Sequence, residues 1–163
     1  MTDATLDTAE LVTAFKLAMR RLASGVGVVV AKEETGLIGM AATSITSLTM
    51  EPPAVLICVN QSAGIHRALA PGNEIGVSLL SAHQQDVSAA FGGALPRERR
   101  FEAGKWILAE GGLPKLDEAQ ANLTCCIEVM TRYGTHSIVV ARVKTVHVGE
   151  PRAPLIYHDA AYI

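Results

Sequence analysis

Six runs of apolar, largely β-branched residues recur along this chain with little more than turn residues between several of them. That spacing constrains the fold more than any other feature. The runs cover 26–31, 37–42, 54–59, 74–80, 123–130 and 137–148. Segments of this length rich in Val and Ile are strands, and the punctuation between them is turn chemistry: Lys32-Glu33-Glu34-Thr35-Gly36 and Arg132-Tyr133-Gly134. Strands joined so tightly have to pair antiparallel, because a parallel connection needs a long crossover. One strong helical pattern precedes them. Over 8–23, Leu11, Ala14, Phe15, Ala18, Met19 and Leu22 recur at three and four, with Lys16, Arg20 and Arg21 between. Shorter helices are expected over 66–69 and 82–91, the second with Ser81 as cap and Gln84 completing a capping pattern. Residues 92–115 read as a long, weakly periodic connection of the kind that often serves as a lid. The expected fold is mainly β (α+β), a closed antiparallel β-barrel with peripheral helices over a single domain, 1–163, whose first ten residues form a flexible N-terminus.

Composition narrows the function by exclusion. Hydrophobic residues at 49% and charged residues at 18% oppose disorder. A net charge of −2 leaves no basic field for nucleic acid, and the one basic cluster, Arg97, Arg99 and Arg100, is interrupted by Glu98 and reads as a solvated face. No stretch approaches the length of a membrane span and no secretory pattern opens the chain, so a cytoplasmic protein is expected. Cys58, Cys125 and Cys126 are an odd number without zinc-site spacing, so neither a disulfide nor a metal is expected. Cys125 and Cys126 should face opposite sides of one strand. There is no GxGxxG between a strand and a helix, no phosphate-cradling GxxxxGK, no Gly-x-Ser-x-Gly and no His-Glu-x-x-His. What remains is a hydroxyl-rich segment, Thr43, Ser44, Ile45, Thr46, Ser47 and Thr49, leading to Pro52-Pro53. Backbone N–H groups with hydroxyls alongside can hold a polar ring edge or a phosphate without a full charge. A polar turn between strands carries the same composition.

The ordered set of local patterns resembles the short-chain flavin reductases with an FMN-binding split barrel. The residues that carry the likeness run from Met19-Arg20-Arg21-Leu22-Ala23-Ser24-Gly25-Val26, through Gly39 to Thr49 and Glu51-Pro52-Pro53, to Gly112-Leu113-Pro114, Gly134-Thr135-His136 and Pro154-Leu155-Ile156-Tyr157. It spans nearly the whole chain. The resemblance implies NAD(P)H-dependent reduction of FMN or FAD, with NADH or NADPH as hydride donor, a homodimer with flavin near the subunit interface, and a flavin-dependent monooxygenase as partner. It also implies roles: the segment from Thr43 to Thr49 around the isoalloxazine and ribityl groups, Asn60, Ser62 and His66 near the flavin phosphate, and His136 beside flavin and nicotinamide. Tyr157 and Tyr162 correspond to the nicotinamide end of the cleft. Phe91 and Phe101 are candidates to flank it from their residue type alone, and with aromatics at 4% each is also needed for packing. Thr135 stands where the family usually has Asp, so a neutral hydroxyl rather than a carboxylate neighbours the His136 ring. The same barrel also suits a reductase that retains its flavin and serves another acceptor, or a non-catalytic flavin- or haem-binding protein.

Overall fold

The computed structural model describes residues 7–108 and 112–163. The chain opens with helix α1 (Thr8–Arg20). The Asp7 carboxylate accepts from the Ala9 and Glu10 N–H groups, and the Glu10 side chain accepts from the Asp7 N–H, so both halves of a capping box fix the first turn. The flexible N-terminus expected over residues 1–10 falls partly on 1–6, outside the described residues. Then follow β1 (Ser24–Gly25), β2 (Gly27–Glu33), β3 (Gly36–Ala42), β4 (Ile45–Met50), β5 (Pro53–Asn60), a 3-10 turn (Gly64–Ala68) and β6 (Glu74–Leu79). The second half holds α2 (Gln85–Ala89), β7 (Trp106–Ile107), β8 (Lys115–Leu116), β9 (Ala121–Tyr133), β10 (His136–Val148), β11 (Ile156–His158) and β12 (Ala161–Tyr162). No described helix is long and apolar enough to cross a membrane.

Seven strands form one antiparallel sheet in the order β3-β2-β6-β9-β10-β5-β4. Its two edges, β3 and β4, are consecutive in the chain and joined only by Thr43 and Ser44. Val29 of β2, Ile38 of β3, Ile57 of β5, Ile75 of β6, Ile127 of β9 and Val139 of β10 meet in one core, with Ile45 of β4 packed against it. A Cβ on Gly27 would lie 2.6 Å from the Ile45 side chain, so the first residue of one edge strand rests against β2, next to the opposite edge. The architecture is therefore mainly β and antiparallel with few helices, as the sequence suggests.

A second core lies on the other face of β2. Val28 and Val30 pack there with Leu80, Leu113, Leu116 and Leu155. Phe91, Phe101 and Trp106 form a triad in it, with ring centroids 5.0 to 5.4 Å apart. Much of the segment expected to be a weakly periodic connection is thus packed structure, with a 3-10 turn at Arg97–Glu102 and the β7–β8 pair. The helix expected over 82–91 is shorter, because α2 gives way to a π turn over Ala90–Ala94 in which Gly93 takes φ 116°. Only half the expected capping pattern forms: the Gln84 side chain accepts from the Ser81 N–H, while the Ser81 hydroxyl donates to the Glu118 carbonyl instead. Cys125 is buried and Cys126 half-buried, as strand alternation requires. Burial pushes the Cys125 thiol up to about 12.

Gly39 is what lets Phe91 reach β3. A Cβ there would sit 2.6 Å from the Phe91 ring and 3.1 Å from the Val29 carbonyl. Gly39→Ala should lower stability by about 1–3 kcal/mol through overpacking, read as a fall in urea midpoint. Gly25→Ala, where a Cβ meets nothing within 4 Å, is the control and should change little. The Cys125 thiol should resist alkylation in the native protein. An unfolded thiol ionises near 9.0 whereas the folded one holds its proton to about 12, so this group makes stability fall as pH rises from 9 toward 12. Thiol labelling that reached Cys125 as fast as Cys126 without unfolding would contradict the packing.

Candidate functional site

A cleft of about 600 Å³ opens where the sheet's two edges meet the first helix. Its walls are Phe15, Lys16, Met19 and Arg20 of α1, the link residues Thr43 and Ser44, and Tyr157, Asp159 and Ala160. A further section of about 440 Å³ shares Thr43 and Tyr157 and runs on past Ala41 and Ala42 to Gly92, Ala94 and Tyr162. Thr43 and Tyr157 therefore line both and stand where the two adjoin. The link is exposed because the chain must leave β3 before β4 can start. β11 is brought beside it by pairing with β1, which sets Ser24 opposite Tyr157.

The β11–β12 hairpin is held at three points. The Tyr157 and Tyr162 rings meet edge to face at 5.4 Å, and the Tyr162 hydroxyl shares a 2.8 Å hydrogen bond with Ser88. The Asp159 N–H donates to the Arg20 carbonyl at 2.8 Å, tying the hairpin tip to the end of α1. Asp159 and Ala160 both take left-handed backbone, with φ 47° and 63°, as a two-residue hairpin of this hand requires. Neither is glycine, so strain is concentrated in the cleft wall.

A second polar group sits at the end of β5. The Ser44 hydroxyl donates to the Cys58 carbonyl at 2.9 Å, and the Cys58 N–H donates back to the Ser44 carbonyl. Two residues farther, about 7 Å along the strand, Asn60 pairs across the sheet with His136, the first residue of β10. Asn60 Oδ1 accepts from both the N–H and the hydroxyl of Ser62. His66 Nε2 lies 2.9 Å from the hydroxyl of buried Ser137, and Thr135 Oγ1 lies 2.9 Å from His136 Nδ1. If Thr135 donates there, the His136 proton resides on Nε2. Gln61 closes the group: its N–H donates to the Thr135 carbonyl and its side-chain amide to the carbonyls of Gly134 and His136.

The structure thus gathers Thr43, Ser44, Tyr157 and Tyr162 along the cleft and Asn60, Ser62 and His136 where β5 ends and β10 begins, whereas His66 meets Ser137 on the other face of the sheet. It does not bring the remaining sequence candidates there. Ile45 turns onto the first core. Thr46, Ser47 and Thr49 run on along β4, away from the cleft lining, and the Thr49 hydroxyl accepts from the Glu51 N–H in the next turn. Phe91, only 2% exposed, and Phe101 belong to the second core, because that core needs rings to fill it and the chain has few. Sequence reasoning missed the α1 wall and Gln61. The sequence marks this helix as amphipathic without showing what its apolar stripe meets, and the fold buries no residue of it.

A model of the flavin reductase like domain matches residues 19–163. The chain belongs to this family. It is 33% identical over 148 residues to the FMN reductase (NADH) RutF of Variovorax paradoxus, covering 91% of this chain and 82% of that one. Among solved structures it resembles the NADH:FAD oxidoreductase SgcE6 of Streptomyces globisporus C-1027, determined with NAD and FAD fragments. There the identity is 28%, the TM-score 0.86, and 98% and 96% of the two chains are covered. The styrene monooxygenase flavin reductase of Pseudomonas putida S12 superposes with a TM-score of 0.81 at 30% identity, over 91% of this chain and 95% of that one. For this flavin reductase family member, two substitutions test the local geometry. Ala160→Gly should relieve the left-handed strain and raise stability by about 1 kcal/mol, seen as a higher urea midpoint. Gln61→Ala should cost about 1–3 kcal/mol by freeing the Gly134–His136 turn, and amide exchange at that turn should speed up. Unchanged exchange would show that the clamp does not hold the turn.

Proposed function

We propose that this protein reduces FMN or FAD by hydride transfer from NADH or NADPH and passes the reduced flavin to a partner monooxygenase. The observation that carries the reading is the cleft at Thr43 and Ser44: the exposed hydroxyl-bearing link on one side, Phe15, Met19 and Tyr157 on the other. That combination suits a planar ring with a polar edge, and the cleft volume falls in the range of nucleotide-sized ligands. In the proposed reaction, hydride moves from nicotinamide C4 to flavin N5, and the protein contributes ring stacking and hydrogen bonds rather than an acid–base pair. We assign Thr43 and Ser44 to the isoalloxazine edge, with Ile45, Thr46, Ser47 and Thr49 supporting the link from β4. Asn60, Ser62 and His66 lie near the flavin phosphate in this reading, His136 beside the reacting rings, and Tyr157 and Tyr162 at the nicotinamide end. Phe91 and Phe101 back the cleft from the second core.

The same reading has the seven-stranded sheet closing as a split barrel whose gap lies between β3 and β4. The Ile45 contact at Gly27 and the core shared by all seven strands support it. It also has two copies pairing. Leu11 and Phe15 of α1, Met50 of β4 and Val129, Val146 and Val148 of the long β9–β10 ribbon are all exposed, more apolar surface than a lone soluble domain usually leaves wet. Three unpaired cysteines suit a reducing compartment.

Oxidation of NADH and of NADPH, followed at the nicotinamide absorbance band with FMN, FAD or no added flavin, tests the function. A rate that rises with free flavin is the expected result. Flavin that binds and stays bound, with no nucleotide oxidised, would sink the reductase reading in favour of a carrier. His136→Ala should lower kcat/KM for the nucleotide about tenfold or more, equal to about 1.4 kcal/mol of transition-state stabilisation. Light scattering on a dilution series tests the dimer, which should lose flavin affinity as it dissociates.

A further inference from the structure

Helix α1 presents two ridges to the cleft. Phe15 and Met19 form one, Lys16 and Arg20 the other, each pair four residues apart and so on one face of the helix. The cationic ridge is the part of the cleft wall that carries positive charge. Arg97, Arg99, Lys105, Arg142 and Lys144 all hold carboxylates, whereas no ion pair engages Lys16 or Arg20 among the described residues. Asp159 shares their cleft, but it meets Arg20 through its backbone N–H and the Arg20 carbonyl, leaving the guanidinium uncommitted. Two like charges one turn apart repel each other in the free protein. A ligand carrying two negative charges at a similar spacing would relieve that repulsion, and the neighbouring Phe15–Met19 ridge offers an apolar surface to the ring system attached to it.

A diphosphate matches two cations one helical turn apart better than a monophosphate does, because it offers a negative group to each. We propose that Lys16 and Arg20 of α1 bind the diphosphate of a dinucleotide in the cleft, NAD(P)H or FAD, and thereby distinguish dinucleotides from FMN. This rests on the reductase reading above. The helix is otherwise loosely held, with no buried residue and its end tied by the Asp159 hydrogen bond, so the ligand also fastens α1 over the site. An attraction of this kind between exposed charges weakens with salt.

The test uses the full chain with Lys16→Gln and Arg20→Gln singly and together. Lys16→Arg and Arg20→Lys serve as charge-keeping controls, and far-UV circular dichroism checks that the helix persists. With FMN as flavin, the double variant should raise the KM for NADH about tenfold or more with kcat changed far less, leave the KM for FMN within about twofold, and lose most of the salt dependence of the wild type. The charge-keeping variants should restore the KM. If the KM for FAD rises instead while that for NADH stays put, the diphosphate belongs to FAD and the proposal stands. Unchanged KM values for both dinucleotides, or an equal loss for FMN, would overturn it. Calorimetry with ADP and AMP separates this inference from the reaction itself. Wild-type protein that oxidises no nucleotide yet binds ADP better than AMP, with the preference lost in the double variant, would refute the reductase reading and keep the diphosphate site. No preference for ADP in an active wild type would refute the site and keep the reaction.

Discussion

Both faces of β2 are buried, and the rest of the molecule is arranged around that strand. Val29 and Ala31 enter the core shared by the strands of the seven-stranded sheet, while Val28 and Val30 on the other face carry the layer of Phe91, Leu113, Leu116 and Leu155. A strand wet on one side would alternate apolar and polar residues; here the run Val28-Val29-Val30-Ala31 does not, because each side has its own core to fill. The consequences reach the site. That layer fixes the π turn whose Gly92 and Ala94 bound the further section of the cleft. Gly27, at the head of the same strand, gives Ile45 room to seat the start of β4, which sets where the Thr43–Ser44 link emerges.

How much of this can be read from the residues depends on whether their neighbours in space are also neighbours in sequence. The six main strands are legible because each carries its own pattern and its own turn, and β9–β10 needs only Gly134 at φ 53° to reverse the chain. The β11–β12 hairpin is not legible, since Asp159 and Ala160 are not the residues that usually accept its turn. α1 is readable as a helix but not as a wall, because periodicity reports which face is apolar and not what that face meets. The hydroxyl-rich segment is half readable. Composition marks 43–49 as one unit, whereas the backbone divides it, leaving Thr43 and Ser44 in a link and sending Thr46, Ser47 and Thr49 along a strand. The Gln61 clamp leaves no trace, its three acceptors lying more than 70 positions away.

The polar chemistry of the site comes largely from places where strands start and stop. Ser44 precedes β4, Asn60 closes β5, His136 opens β10, and each is held by main-chain hydrogen bonds or strand pairing near it. Strand ends supply N–H and C=O groups that the ladder leaves unused, which suits a ligand whose recognition needs hydrogen bonds more than charge. The exposed ring of Tyr157 and the apolar side chains of α1 then supply area rather than direction. Flavin chemistry asks for that division, because the cofactor brings the reactivity and the protein brings placement.

The hydrogen bond from Asp159 to Arg20 joins opposite ends of the described chain across the mouth of the cleft. A ligand seated there touches both ends at once and so works as a non-covalent cross-link, one that the unfolded chain, with those ends far apart, has no means to form. Occupancy is therefore coupled to the integrity of the whole molecule: a ligand that binds only the folded chain raises global stability by RT ln(1 + [L]/Kd), about 2.7 kcal/mol at a hundredfold excess over Kd. A chain with its strands in place but its ends apart would keep its cores and lose the cleft.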